Sequence, residues 1–173
     1  MFYCEIIGIP KRLGKMKQVY IIGAKGIGQY GGYETFVQKL IEYSNNIYFH
    51  VACKANGDGH MDIGKLADSE WMGESAFRYR GAECFLVKVP EIGAAQAIVY
   101  DCKSIRKSIE DITANKISNP VVYVLACRIG PFFGRYVKLI HRLGGKVLVN
   151  PDGRAGIIWT NQKQRCKYKV SAA

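Results

Sequence analysis

The fold of this chain is decided by Gly26-Ile27-Gly28-Gln29-Tyr30-Gly31-Gly32-Tyr33-Glu34, a glycine-rich segment between two regular elements. The apolar run Val19-Tyr20-Ile21-Ile22-Gly23 before it is typical of a buried strand. After it, apolar residues recur at helical spacing at Tyr33, Phe36, Val37, Leu40 and Ile41, which predicts an amphipathic helix with these residues on one face. A strand, a glycine turn and a helix start bring backbone N–H groups and the positive end of a helix dipole together. We therefore expect a phosphate, a carboxylate or a sugar hydroxyl to bind at this turn, with Glu34 able to reach it.

The glycines of this turn allow two interpretations. One is a tight strand-to-helix connection, in which glycine supplies a positive φ and close packing without any ligand. The other is a dinucleotide fingerprint, because Gly26, Gly28 and Gly31 fit G-x-G-x-x-G. That fingerprint expects an acid about 20 residues further on, at the end of the next strand. Here the next strand runs into Cys53-Lys54-Ala55-Asn56, so NAD is disfavoured, and Lys54 leaves NADP as the remaining alternative.

Strand-like and helix-like segments alternate along the rest of the chain. Apolar runs predict strands at 19–23, 47–52, 77–80, 84–89, 121–126 and 146–150, and helical spacing predicts helices at 33–41, 94–115 and 135–143. For the helix 94–115, the expected apolar stripe consists of Ala97, Ile98, Ile105, Ile109 and Ile112. The stretch around Trp71 is expected to be irregular. This alternation predicts an α/β domain with a doubly wound, parallel, Rossmann-like sheet.

Ligands of such sheets bind outside the carboxyl ends of the strands. Besides the glycine turn, the loops at 127–131 and 150–153 are expected at that edge. Arg128 follows a buried strand directly, where a guanidinium needs an anionic or carbonyl partner, so a structural salt bridge and a ligand contact both stay open. Asp152 lies in a Pro-Asp-Gly sequence and is either a turn residue or a ligand contact.

The balance of charge does not point to nucleic acid. The chain has 173 residues and a formal net charge of +11. Most of that excess lies at its two ends, because residues 1–18 hold +3, residues 154–173 hold +5 and residues 19–153 only +3. A body of this weak basicity is compatible with phosphorylated ligands or with an anionic membrane surface and demands neither. We therefore expect no nucleic-acid partner.

The six cysteines and three histidines show no pattern of a metal site or a disulfide framework. There is no C-x-x-C pair and no ligand spacing that joins histidine to cysteine, so no metal is expected. His50 alternates with apolar neighbours in a strand, which favours a structural role. Neither a signal peptide nor an apolar run of membrane-spanning length is apparent, and this favours the cytoplasm.

Four motifs together resemble one family. Residues 17–23, 26–37, 125–131 and 149–153 are similar to the N-terminal domain of bacterial rhamnosyltransferases of the retaining GT-B type (glycosyltransferase family 4), which build cell-wall and capsular polysaccharides. The resemblance covers about residues 16–153. It implies a Rossmann-like half that holds mainly the acceptor, a lipid-linked glycan, while a second half grips a nucleotide-sugar donor, dTDP-rhamnose. No other cofactor is implied, and the enzyme would work at the inner face of the cell membrane.

The resemblance also implies roles for particular residues. It places Gly26, Gly28, Gly31 and Gly32 against the donor diphosphate, and we assign Glu34, Arg128 and Asp152 to the sugar or the acceptor. Catalytic residues are not identified, since the resemblance places the acidic catalytic pair in the donor half.

The chain departs from that family at its glycine loop and at both ends. Gly28 stands where the family usually has proline. Residues 1–15 precede the natural start of the family domain, which predicts a non-native or disordered extension and Met16 as the initiator. Residues 154–173 are basic and patternless, which predicts a divergent tail from a truncation or a frameshift. The donor half would then be missing and the chain alone inactive. The alternative function is a stand-alone, NADP-like nucleotide-binding module.

Overall fold

A computed structural model of the protein describes residues 16–126 and 128–150, and the backbone alone of Lys65 and of residues 157–159. Strands and helices alternate through these residues in the predicted manner. In chain order they are β1 (Lys17–Ile22), α1 (Gly32–Tyr43), β2 (Ile47–Lys54), β3 (Ser69–Trp71), β4 (Ala76–Tyr79), β5 (Ala82–Val87), α2 (Gln96–Ala114), β6 (Val121–Val124), α3 (Phe133–Arg142), β7 (Lys146–Val149) and β8 (Ile157–Trp159). Short 3₁₀ turns at Gly93–Ala95 and Gly130–Phe132 lead into α2 and α3.

All of these strands form one sheet in the order β3-β4-β5-β2-β1-β6-β7-β8. The central strands β5, β2, β1, β6 and β7 are parallel, whereas β3, β4 and β8 join the edges in antiparallel pairs. The order reverses at β1, which is the arrangement of a doubly wound Rossmann-like sheet. The predicted fold class is therefore confirmed.

The two edge strands β3 and β8 were not predicted. The expectation of an irregular stretch around Trp71 is wrong, because Ser69–Trp71 pairs with β4. Three residues carry too little alternation to be recognised, and the neighbouring strand decides whether they pair. The backbone of Ile157–Trp159 pairs with β7, within the tail predicted at 154–173. The rest of that tail and the extension at 1–15 lie outside the described residues.

Helices cover both faces of the central sheet. Val19 and Ile21 of β1 belong to the core that includes α1, while Tyr20 and Ile22 belong to the core that includes α2 and α3. Successive side chains of a strand point to opposite faces, so one apolar strand supplies both cores. This two-sided burial is the reason why β1 reads as a continuous apolar run, and it holds the glycine turn at the end of a rigid strand.

The stripe predicted for α2 is confirmed at Ile105 and Ile112, which are buried, and is wrong at Ile98. Ile98, expected in the core, is 40% exposed. Two serines are buried instead, and the hydroxyls of Ser104 and Ser108 donate to the carbonyl oxygens of Tyr100 and Ser104 at 2.7 and 3.0 Å. A serine whose hydroxyl bonds within its own helix can be buried, and an apolar period does not reveal this. The buried residues of α2 are Tyr100, Asp101, Ser104, Ile105, Ser108 and Ile112.

His50 is a buried residue in the first half of β2. Its ring stacks on Tyr20 with centroids 4.2 Å apart, and its Nε2 lies 2.9 Å from Oε1 of Gln18. The Tyr20 hydroxyl donates to Oδ2 of Asp111 at 2.5 Å. Burial lowers the pKa of His50 to about 4, so the ring is neutral near pH 7. These contacts agree with the predicted structural role.

Candidate functional site

A cavity of about 680 Å³ opens at the carboxyl edge of the sheet. The loops after β1, β6 and β7 meet there, as the topology of the predicted fold required. Its wall includes Gly31, Gly32, Glu34 and Arg128 from the predicted site residues, and Asn150 from the end of β7. The remaining lining residues are Gly23, Lys25, Gln29, Tyr30, Tyr33, Phe36 and Gly59. Asp152 lies outside the described residues.

The backbone at the start of α1 forms one wall of this cavity. At Gly32 an added Cβ would meet no atom within 4 Å, so the backbone there is open. At Gly31 an added Cβ would lie 2.1 Å from Oε2 of Glu34, which places that carboxylate directly over the glycine. An anion at this wall would meet the bare backbone of Gly32 and the amino end of a 12-residue helix, beside the carboxylate of Glu34.

The first two glycines of the loop pack away from the cavity. An added Cβ on Gly26 would lie 2.7 Å from Sδ of Met61, and one on Gly28 would lie 2.2 Å from Cδ1 of Leu66. Gly28 also has a φ of +68°, a conformation that favours glycine. Neither glycine belongs to the cavity wall. Their contacts fit the first interpretation of the loop, a tight connection that needs glycine for packing.

Glu34 ties the glycine loop to α1. Its Oε1 accepts a hydrogen bond of 2.9 Å from the backbone N–H of Lys25, while the N–H of Thr35 donates to the carbonyl of Gly31 at 2.9 Å. A glutamate in the first turn of a helix suits the helix dipole. Here it also satisfies a backbone donor nine residues earlier in the chain, and it therefore holds the loop in one shape.

Arg128 makes the structural contacts that its position after β6 suggested, and it also lines the cavity. Its Nη2 donates to the carbonyl of Gly23 at 2.7 Å, and its Nε lies 3.4 Å from Oδ2 of Asp101. Asp101 is fully buried, and its Oδ1 has no hydrogen-bond partner among the described residues. Burial outweighs the attraction of the guanidinium and raises the pKa of Asp101 to about 6. Asp101 was not predicted from the sequence. The one sign of it there is that a carboxylate occupies a position on the buried side of α2.

A second cavity, of about 620 Å³, lies between the ends of the central strands and the start of α2. Lys25 and Arg128 line both cavities, and Lys54 lines only this one. Lys54 is the last residue of β2, the position where a dinucleotide fingerprint expects an acid. Its ammonium donates to the carbonyl of Asp58 at 2.6 Å and to Oε1 of Gln96 at 2.5 Å. Burial, and then the charge of Lys25, lower the pKa of Lys54; the Asp58 carboxylate opposes them, and Arg128 adds a smaller lowering effect.

The predicted apolar face of α1 also requires a correction. Phe36 was placed on that face with Val37 and Ile41, which are buried. Phe36 is instead 39% exposed, lines the first cavity and meets the ring of Tyr123 edge to face, with centroids 6.2 Å apart. Its position at the edge of the helical stripe explains the error, because the cavity interrupts the packing there.

Charge is distributed unevenly through the body of the domain. Residues 112–150 contain no Asp or Glu and six basic residues, which are Lys116, Arg128, Arg135, Lys138, Arg142 and Lys146. Arg135, Lys138 and Arg142 of α3 are exposed at helical spacing and therefore share a face. Phe132, directly before α3, is 55% exposed. The net charge of only +3 for residues 19–153 does not reveal this basic face, because acidic residues earlier in the chain offset its charge.

The fold and these cavities define a Rossmann-like α/β domain with cations and open backbone at the carboxyl edge of its sheet. The chain belongs to the family described as a domain of unknown function, DUF1972, whose family model matches residues 16–171. No curated protein and no solved structure matches the chain. No helix among the described residues is long and apolar enough to cross a membrane. In the same ranges no group of three or more His, Cys, Asp or Glu is arranged to hold a metal ion.

Proposed function

We propose that this domain is the N-terminal, acceptor-side half of a retaining GT-B glycosyltransferase, a rhamnosyltransferase of cell-wall or capsular polysaccharide synthesis. One observation carries the proposal. The open backbone of Gly32 at the start of α1 lines the same cavity as the guanidinium of Arg128, at the carboxyl edge of a Rossmann-like sheet. Backbone donors and a fixed cation in one cavity suit a diphosphate.

The proposed reaction needs this arrangement because the leaving diphosphate gains negative charge as its bond to the anomeric carbon of the sugar breaks and the acceptor hydroxyl, losing its proton, bonds to that carbon. Aimed N–H groups and cations stabilise such charge without reorganising during the reaction. Gly32 would face the diphosphate of dTDP-rhamnose held by a donor half, with Lys25 and Arg128 beside it, and Gly31 would do so once the carboxylate of Glu34 moves aside. Glu34, whose carboxylate lines the cavity, would contact the sugar or the acceptor, and Asp152 is proposed for the same role from the sequence alone.

The proposed acceptor is a lipid-linked glycan, and the basic face of α3 supports work at the cytoplasmic side of the membrane. Arg135, Lys138 and Arg142 present three exposed cations without an acid on the same helix, next to the exposed ring of Phe132. Each cation close to an anionic bilayer contributes about 1 kcal/mol. Replacing the three by glutamine is expected to weaken binding to phosphatidylglycerol vesicles roughly tenfold or more.

The vesicle assay has an internal control. Glutamine at three exposed lysines elsewhere, Lys39, Lys88 and Lys103, removes the same charge and is expected to leave vesicle binding nearly unchanged. Equal losses from the two triple variants would contradict the proposed membrane face.

The transferase proposal is tested by direct ligand binding to the chain. Saturation-transfer NMR with a short-chain lipid-diphosphate sugar is expected to show contact, and Arg128→Gln is expected to weaken it. The matched control is Arg106→Gln, an exposed arginine on α2. Transfer from dTDP-rhamnose is expected only when a donor half is supplied. Enhanced nicotinamide fluorescence on titration of NADPH, with no response to the acceptor, would favour the alternative of an NADP-like module.

A further inference from the structure

We propose that the second cavity, lined by Lys54, Lys25 and Arg128, is a phosphoryl-binding site distinct from the wall formed by Gly31 and Gly32. Its ligand is a phosphate monoester or a diphosphate. The inference does not rest on the transferase activity, because any phosphorylated ligand of suitable size would satisfy it.

The first argument is the environment of Lys54. The residue is only 5% exposed, and no carboxylate in the described part of the chain forms an ion pair with it. Its two acceptors are both neutral, the backbone oxygen of Asp58 and the amide oxygen of Gln96. A buried ammonium without an opposite charge is costly, and proteins normally pair such groups. The exposed carboxylate of Asp58 raises the pKa of Lys54, but burial and the charge of Lys25 each lower it by more, so a bound anion would supply charge that Asp58 alone does not.

The second argument is the convergence of cations on the same space. Lys25 and Arg128 also line this cavity and, together with burial, lower the pKa of Lys54. The cavity lining also includes two exposed carboxylates, Asp58 and Glu91, and that of Asp58 acts in the opposite direction on Lys54. Like charges placed together disfavour one another unless an anion lies between them. The partner of Lys25 is Asp58 at 3.2 Å, whose side chain is 96% exposed. An exposed pair of this kind is weak, so a ligand can replace it.

Donor groups remain for a ligand. An ammonium has three donors and a guanidinium five. Two donors of Lys54 and two of Arg128 are engaged by the described residues. The remaining N–H groups can bind phosphoryl oxygens in charge-assisted hydrogen bonds, which are about twice as strong as neutral ones.

The third argument is that the loop after β2 holds Lys54 in place. Gly57 and Gly59 have φ angles of +77° and +66°. An added Cβ on Gly57 would lie 2.9 Å from Nε2 of Gln96, and one on Gly59 would lie 2.6 Å from Cδ of Lys25. The two glycines therefore let the loop pass close to both side chains and aim the carbonyl of Asp58 at the ammonium. A site whose cation is held before binding loses less entropy when the ligand arrives.

The experiment measures binding of inorganic pyrophosphate to the full chain by titration calorimetry at low ionic strength. Lys54→Met is expected to weaken binding about tenfold or more, since a charge-assisted contact is lost. Lys88→Met removes an exposed lysine from the same domain and is expected to change binding less than about twofold. Equal effects of the two variants would overturn the proposal.

A second variant protects the test against a folding defect. Gln96→Glu is close to isosteric and gives Lys54 a carboxylate partner, so the protein should keep or gain thermal stability while pyrophosphate binding falls. A stable Gln96→Glu protein that binds pyrophosphate like the parent would overturn the proposal. Amide NMR shows where pyrophosphate binds. Chemical-shift changes are expected at Gly57 and Gly93, and changes confined to Gly31 and Gly32 would also overturn the proposal.

Nucleotides separate this inference from the proposed function. Binding of NADP⁺ but not NAD⁺, lost in Lys54→Met, would support the phosphoryl site and identify a ribose phosphate as its ligand. The same result would count against the transferase. Pyrophosphate binding without a response to either nucleotide supports the phosphoryl site. It does not bear on the transferase proposal, which is tested by binding of the lipid-diphosphate sugar.

Discussion

The contact between Gly31 and Glu34 gives the sharpest prediction about the glycine loop. Gly31 has a φ of 166°, which is extended backbone that alanine can also adopt. Gly31→Ala therefore adds no backbone strain, but its Cβ would lie 2.1 Å from Oε2 of Glu34. The carboxylate has to move, and its hydrogen bond to the N–H of Lys25 is lost.

The magnitude follows from the lost bond and from the unfolded chain. A hydrogen bond to a charged group is worth about 1.5–3 kcal/mol, and the partial exposure of Glu34 places this one near the lower end. Replacing glycine stabilises by about 0.4–1 kcal/mol through the unfolded state. We expect Gly31→Ala to lower the free energy of unfolding by about 1 kcal/mol, which corresponds to roughly 2–4 °C in Tm for a chain of this size.

Gly32→Ala is the matched control, since its Cβ meets no atom within 4 Å. It is expected to be neutral or slightly stabilising, because alanine is the better helix former. Urea unfolding at pH 7 measures both variants in the parent and in a Glu34→Ala background. With Glu34 absent, only the gain through the unfolded state remains, so Gly31→Ala should stabilise by about 0.4–1 kcal/mol, which gives a coupling energy of about 1.5 kcal/mol. Strictly additive effects, or equal effects of the two glycine variants, would refute the reasoning.

Three further predictions concern stability. The lowered pKa of His50 contributes stability that is present above pH 6.5 and is lost as the pH falls toward 4. The raised pKa of Asp101 has the opposite effect: it contributes stability that is present below pH 3.8 and is lost as the pH rises toward 6. Each contribution is worth on the order of 3 kcal/mol. The difference in unfolding free energy between the parent and His50→Gln should therefore shrink toward low pH, and the difference between the parent and Asp101→Asn should shrink toward high pH. Differences that do not change with pH in urea titrations would contradict this. Gly28→Ala should lower the unfolding free energy by about 1–3 kcal/mol, because it combines a strained φ with a clash against Leu66, and a Tm equal to that of Gly32→Ala would disprove it. Tyr100→Phe should lower the unfolding free energy by about 1–2 kcal/mol, because the buried hydroxyl lies 2.6 and 2.8 Å from the carbonyl oxygens of Ala24 and Ala52. An unchanged urea midpoint would show that the hydroxyl is not needed.

Two hydrophobic periods in the sequence were enough to predict the class of the fold. Alternating strands and helices predict a doubly wound sheet, and the apolar run of β1 predicts a buried strand, which the structure buries on both faces. The position of the glycine loop at the carboxyl edge then follows from strand direction alone. These features depend on local pattern, which a sequence carries directly.

The pairing of side chains within the candidate site was decided only by the tertiary structure. Arg128 contacts Gly23, which is 105 residues away in the chain, and Asp101, which is 27 residues away. Gly28, predicted as a ligand contact, lies against Leu66, which is 38 residues away in the chain. The place of Lys54 in a second cavity depends on the start of α2 and the loop after β2 meeting at one point. Such contacts arise from sheet register and packing between elements far apart in sequence, which no local period encodes.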